Sequence, residues 1–157
     1  MGTVNTVLPQ IIAHEFRSVA LAVLTETGMG KIGNKFVLII DDDVGMLRAL
    51  NKVLSGEGCM VASAASAEVA VKFLTNGQQR FDLIITDLRM PAIDGMGILR
   101  GVKQVYPEVP VIIITAFGSA EVKAQSMREG AAAFLEKPMD VPQLLATIDR
   151  VLAPSTP

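Results

Sequence analysis

Four polar positions in this chain stand where an apolar run gives out. Phe36 to Ile40 ends on Asp41-Asp42-Asp43, and Phe81 to Thr86 ends on Asp87. Val109 to Ile114 ends on Thr115, and Ala131 to Leu135 gives way to Glu136-Lys137-Pro138. If the runs are neighbouring strands, these ends meet in one crevice. Three or more carboxylates gathered there repel one another and raise their own pKa values unless a cation compensates. Their hard oxygens suit Mg²⁺ (or Mn²⁺), which takes a few carboxylates, a carbonyl and several waters. A carboxylate beside such an ion, with a lysine and a hydroxyl at hand, is equipped to attack phosphorus. Asp87 would be the nucleophile, Lys137 would neutralise phosphoryl oxygens and Thr115 would donate a hydrogen bond. The product would be an acyl phosphate, a reversible addition of about two negative charges.

The elements that must bring these groups together are legible from Phe36 onward. Phe36–Ile40 reads as a buried strand, followed by Met46, Leu47, Leu50, Val53 and Leu54 at helical spacing until Gly56 and Gly58 stop them. Cys59–Ala62 reads as a short strand and Ala67–Leu74 as a helix closed by Asn76-Gly77. Phe81–Thr86 is a third strand, and Met96–Val105 a helix with Asp94 as its N-cap. Val109–Ile114 is a fourth strand, Ala120–Glu129 a helix capped by Gly130, Ala131–Leu135 a fifth strand and Val141–Leu152 the last helix. Such alternation predicts an α/β fold, a five-stranded parallel sheet with helices on both faces. Chemistry in such sheets gathers at the carboxyl ends of the strands, near the switch point in strand order.

Composition agrees. Of 157 residues 50% are hydrophobic and only 19% charged, with six Phe, one Tyr and no Trp. Charged residues are usually nearer ~25%, so this apolar weight suits strands covered on both faces. No apolar run approaches the ~18 residues of a membrane span. The single cysteine, Cys59, excludes an intrachain disulfide and a multi-cysteine zinc site. A net charge of -2 without a basic cluster argues against direct nucleic-acid binding by this chain. The charge divides unevenly, residues 1–35 balancing at +1 and residues 36–157 at -3.

These motifs, in this order, are similar to the receiver domain of two-component response regulators, the flavodoxin-like (βα)5 superfamily. The resemblance rests on Val-Leu-Ile-Ile-Asp-Asp-Asp, Leu-Ile-Ile-Thr-Asp-Leu-Arg-Met-Pro-Ala-Ile-Asp-Gly, Val-Ile-Ile-Ile-Thr-Ala-Phe-Gly and Gly-Ala-Ala-Ala-Phe-Leu-Glu-Lys-Pro. Asp87 to Thr115 is a step of 28 residues and Thr115 to Lys137 one of 22. One such motif is weak; four in order are specific. The resemblance implies strand order 2-1-3-4-5. It makes Asp87 the phosphoacceptor, with Asp41, Asp42, Asp87 and the backbone carbonyl of Arg89 as metal ligands. It makes Thr115 the switch hydroxyl, Ala116 a small neighbour that leaves the phosphoryl group room, and Phe134 the switch aromatic. Lys137 would bond a phosphoryl oxygen and precede Pro138 through a cis peptide, which costs little before proline. Asp43 is set aside as the cap of the following helix. Phosphorylation would draw Thr115 toward the phosphate and turn Phe134 inward, remaking a protein-binding face on the fourth helix, fifth strand and fifth helix.

The implied function is a cytoplasmic signalling domain, not a turnover enzyme, that assists its own phosphorylation and dephosphorylation. Its partners would be a histidine kinase or histidine phosphotransfer protein upstream, docking near the first helix and the active-site loops. Downstream stands a protein target or a fused output domain, and a phosphorylation-dependent homodimer is a further implication. Arg89 and Phe117 sit where bulk would restrict the water that hydrolyses the acyl phosphate. The enzymatic alternative, a haloacid-dehalogenase-like Mg²⁺-dependent phosphatase, wants its nucleophile on the first strand in D-x-D-x-[TV], where Asp41-Asp42-Asp43-Val44-Gly45 ends in Gly. An FMN-binding flavodoxin would need a Ser/Thr-Gly phosphate loop after the first strand.

Residues 36–152 are thus the expected receiver, 153–157 a tail or linker stub, and 1–35 an extension of unknown role. Leu8, Ile11, Ile12, Phe16, Val19, Leu21, Val23 and Leu24 could form one helix there. Ile12-Ala13-His14-Glu15-Phe16-Arg17-Ser18 resembles the phosphorylated-histidine box of sensor kinases, but Val19 replaces its proline. Gly28-Met-Gly30-Lys-Ile-Gly33 matches G-x-G-x-x-G yet precedes a strand, so it fails the dinucleotide context and reads as a lead-in.

Overall fold

The computed structural model describes residues 32–77 and 80–154. The helix, histidine box and most of the glycine-rich lead-in expected upstream lie outside the described residues. The ladder runs through β1 (Phe36–Ile40), β2 (Met60–Ala64), β3 (Leu83–Thr86), β4 (Val111–Thr115) and β5 (Ala133–Glu136). Between and after them come α1 (Val44–Gly56), α2 (Ala67–Thr75), α3 (Gly95–Val105), α4 (Ala120–Arg128) and α5 (Val141–Leu152). The strands form one parallel sheet in the order β2-β1-β3-β4-β5, as the resemblance implied.

Alternation along each strand sorts the core into two layers, because successive side chains point to opposite faces. Leu38, Ile40, Ile84, Ile113 and Phe134 face α2, α3 and α4, where Ala67, Ala70, Ile98, Leu99 and Val102 meet them. Val37, Ile39, Leu83, Ile85, Ile112 and Ile114 face Leu47, Leu50 and Leu54 of α1 and Leu144 and Ile148 of α5. Full burial of each such side chain stabilises the fold by roughly 1.5–3 kcal/mol. The three central strands are buried on both faces, hence their unbroken Val/Leu/Ile runs. The second layer starts before β1: Ile32 is buried within it, and the Asn34 N–H donates to the Gly58 carbonyl.

Helix starts follow capping chemistry, at Asp43 and Asp94 as read from sequence and at three further caps. Asp43, Ser66, Asp94, Ser119 and Asp140 each accept backbone N–H bonds from the first turn of the helix that follows. Strand starts fall later than the apolar runs suggest. Pro110 has no N–H for the ladder, so β4 begins at Val111. Phe81 leaves the ladder to stack on Phe36, ring centroids 4.6 Å apart, so β3 begins at Leu83. Cys59 donates its N–H back to Leu54 in the closing turn of α1, so β2 begins at Met60 and runs to Ala64.

Candidate functional site

Register places the acidic groups. Ile40 of β1 pairs with Thr86 of β3, so the next residues, Asp41 and Asp87, leave adjacent central strands side by side. Asp42 follows on the β1 loop, and one carboxylate oxygen from each of Asp41, Asp42 and Asp87 lies within 4.8 Å of the other two. Asp41 and Asp87 are buried, 3% and 8% exposed, whereas Asp42 faces solvent. Lys137 comes from just beyond β5 and reaches across the end of β4. Its Nζ lies 2.7 Å from Asp41 Oδ2 and 3.3 Å from Asp87 Oδ2. The peptide between Lys137 and Pro138 is cis, and the Lys137 N–H donates to the Thr115 carbonyl.

The two buried carboxylates are oriented differently. Asp41 receives the Asp43 N–H on Oδ1 and Lys137 on Oδ2. Asp87 Oδ1 accepts the N–H of Leu88 at 2.6 Å and of Arg89 at 3.4 Å, which leaves Oδ2 facing Lys137. Burial raises the Asp41 pKa above its ordinary value, and the hydrogen bond and charge of Lys137 offset only part of that rise. Burial would lower the pKa of Lys137, but its bond to Asp41 and the charges of Asp41 and Asp87 carry it above the ordinary lysine value. Lys137 is therefore a fixed cation at neutral pH.

Thr115 and Phe134 lie on the same side of the sheet, since Ile113 pairs with Phe134 and Thr115 is two residues beyond Ile113. Thr115 is fully buried and its Oγ1 accepts the Phe117 N–H at 3.2 Å, so the hydroxyl serves its own loop and bonds none of the acidic cluster. The ring of Phe134 is buried, 9% exposed, and packs against the β4–α4 loop. Gly118 makes room for it: a Cβ there would stand 2.8 Å from the ring's Cε1. Asp43 caps α1 through Oδ1, in keeping with its exclusion from the acidic pair.

Three features were not legible from residue spacing. The guanidinium of Arg89 lies over the Phe117 ring, 3.9 Å from its centroid. Gly95 backs so closely onto the Asp87 carbonyl that a Cβ there would collide with it, and the Gly95 N–H closes the loop by donating to Leu88 O. Ala92, within that loop, has φ 71°, a left-handed conformation rare for a residue with a side chain.

Oxygen donors from two strands and the following loop match the hard-ligand preference of a small divalent cation. Among the described residues no helix is long and apolar enough to cross a membrane.

The model of the response regulator receiver domain family matches residues 37–149. The transcriptional regulatory protein ZraR of Escherichia coli (strain K12) is 37% identical over 117 residues, covering 74% of this chain and 26% of that protein. The chain thus spans about a quarter of the length of the curated relatives it matches. Of solved structures, a response regulator receiver domain protein from Clostridium thermocellum superposes with TM-score 0.71 at 32% identity, covering 75% of this chain and 94% of that one. The beryllofluoride-activated NtrC4 receiver domain dimer superposes with TM-score 0.70 at 32% identity, covering 74% and 95%. A nucleophile expected on the first strand, as the phosphatase alternative required, finds no support in these matches. With its sheet order, its acidic strand ends and a family match across most of its length, the chain belongs to the receiver domains of two-component response regulators.

Proposed function

We propose that Asp87 accepts a phosphoryl group from a phosphohistidine donor, a histidine kinase or histidine phosphotransfer protein. The observation that carries this is the meeting of Asp41, Asp42 and Asp87 with Lys137, whose Nζ is 3.3 Å from Asp87 Oδ2. A carboxylate oxygen of Asp87 forms the new bond to phosphorus. The bond from phosphorus to the donor nitrogen breaks with its electron pair returning to the imidazole. Lys137 would neutralise a phosphoryl oxygen in the transition state, its charge already held beside the acceptor carboxylate. Thr115 would exchange its Phe117 N–H partner for a phosphoryl oxygen, drawing the β4–α4 loop with it. Asp41, Asp42, Asp87 and the Arg89 carbonyl would hold Mg²⁺ (or Mn²⁺), which supplies charge neutralisation at the phosphoryl group.

The rest of the reading follows the family. Residues 36–152, with the packed lead-in from Ile32, form the signalling unit; residues 1–35 extend it upstream and 153–157 downstream. The unit assists its own phosphorylation and dephosphorylation, works in the cytoplasm and passes its state on through protein contact. Because the matched relatives are several times longer, an output domain fused to the same chain is the favoured recipient, and a homodimer made on phosphorylation the favoured intermediate. Direct nucleic-acid binding is not part of this reading, since the net charge is -2.

Incubation with acetyl phosphate, with and without Mg²⁺, tests the reading. Intact mass should show one added phosphoryl group only with the metal, and none in Asp87→Asn. Metal-independent labelling, or labelling that survives Asp87→Asn, would overturn it. Light scattering on the same samples reads the dimer.

A further inference from the structure

Thr86, the last residue of β3, is fully buried, and its hydroxyl does not point at the acidic crevice. Its Oγ1 donates to the carbonyl oxygen of Asp87 at 2.9 Å. That carbonyl belongs to the same rigid peptide plane as the Leu88 N–H, because the peptide bond does not rotate. The Leu88 N–H is aimed at Asp87 Oδ1, 2.6 Å away, the shortest bond the acceptor carboxylate makes. Gly95 also rests against the same peptide, with no room for a Cβ.

We infer that Thr86 is a positioning residue for phosphoryl acceptance: its hydroxyl fixes the 87–88 peptide plane, and that plane turns the Asp87 carboxylate. One oxygen is held on the backbone, and the other is left toward Lys137 and the incoming phosphorus. The hydroxyl touches neither the phosphoryl group nor a metal ligand's carboxylate. It acts through the direction of one N–H. The inference rests on Asp87 being the acceptor.

Alignment of reacting atoms is worth large factors in rate, a misplacement of an ångström costing up to ~10²-fold. Thr86→Val keeps the shape and removes the donor; Thr86→Ser keeps the donor and removes the methyl. With acetyl phosphate at saturating Mg²⁺, Thr86→Val should lower the maximal rate of Asp87 labelling about tenfold, and Thr86→Ser should restore it to within about threefold. The donor concentration giving half-maximal rate should hardly change, whereas general loosening of the site would move both. A second readout needs no reaction. A short N–H···carboxylate bond shifts its amide proton downfield, so the Leu88 amide resonance should move upfield in Thr86→Val and stay in place in Thr86→Ser. Thr86→Ala serves both measurements if the valine variant does not fold. Wild-type rate and an unmoved Leu88 amide in the valine or alanine variant would overturn the inference. Absence of labelling in the wild type would instead overturn the acceptor role of Asp87, and the amide shift alone would still decide whether Thr86 sets the plane.

Discussion

Arg89 and Phe117 stack across two loops, the guanidinium carbon 3.9 Å from the ring centroid. Arg89 is two residues beyond Asp87 and Phe117 two beyond Thr115, so the stack bridges the β3 and β4 ends that carry the chemistry. Phe117 is 52% exposed, so the stack is partly solvated and worth about 0.5–1 kcal/mol.

Removing the bulk of both side chains should admit more water to the acyl phosphate. The double variant Arg89→Ala/Phe117→Ala should lose its phosphoryl group several-fold faster than the wild type, with labelling stoichiometry unchanged. The decay of the labelled protein after removal of the donor measures it, and an equal half-life would show that the stack does not guard the site.

Lys137→Met leaves Asp41 buried without its cation. The side chains of Lys137 and Asp41 are 14% and 4% exposed, so this is a buried pair broken on one side, and stability should fall by about 3 kcal/mol. The pH dependence has a definite sign. A lysine whose pKa rises on folding stabilises fully below its ordinary 10.5 and loses that contribution as pH climbs through the raised value. Asp41, also raised, favours folding in acid, and that contribution fades as pH rises from the ordinary 3.8 through the raised value. Urea titrations should therefore show a gap between wild type and Lys137→Met that is steady from neutral pH to about 10 and closes above 10.5.

Ala92→Gly should stabilise the chain. Ala92 has φ 71°, where a Cβ costs roughly 1–2 kcal/mol and glycine nothing, against the 0.5–1 kcal/mol that glycine loses in chain entropy. A net gain of roughly 0.5–1 kcal/mol should raise Tm by about 3 °C. Calorimetry checks it. No gain would mean that the loop relaxes around alanine at little cost.

Cys59 should be inert while the protein is folded. Burial, followed by the charges of Glu57 and Asp82, pushes its thiol up to about 11. At pH 8 only about one thiol in a thousand is ionised, and iodoacetamide needs the thiolate. Alkylation should be at least a hundredfold slower in buffer than in concentrated urea; comparable rates would place Cys59 outside the core.

Much of this was legible in the sequence because strand ends are marked twice, by the end of an apolar run and by the polar residue that follows. That marking brought Asp41, Asp87, Thr115 and Lys137 to one edge, and pairing of Ile40 with Thr86 is what the alternation required. Contacts between loops were not legible. Nothing in the spacing of Arg89 and Phe117 says that the two side chains meet, because loop geometry is set by tertiary packing. The packing of Ile32 under α1 and α5 was hidden for a related reason: one apolar residue in a glycine-rich stretch has no periodicity to reveal it. The strained Ala92 sits where sequence patterns would sooner place glycine or asparagine.

Gly118 gives the missing side chain a mechanical meaning. The loop residue next to Phe117 rests on the ring of Phe134 with no clearance for even a methyl group. Thr115 holds the Phe117 N–H, so its hydroxyl, the loop backbone and the Phe134 ring follow one another in contact. A side chain at 118 would have to displace that ring or the loop, so the glycine is what lets the end of β4 and the face of β5 lie in direct contact.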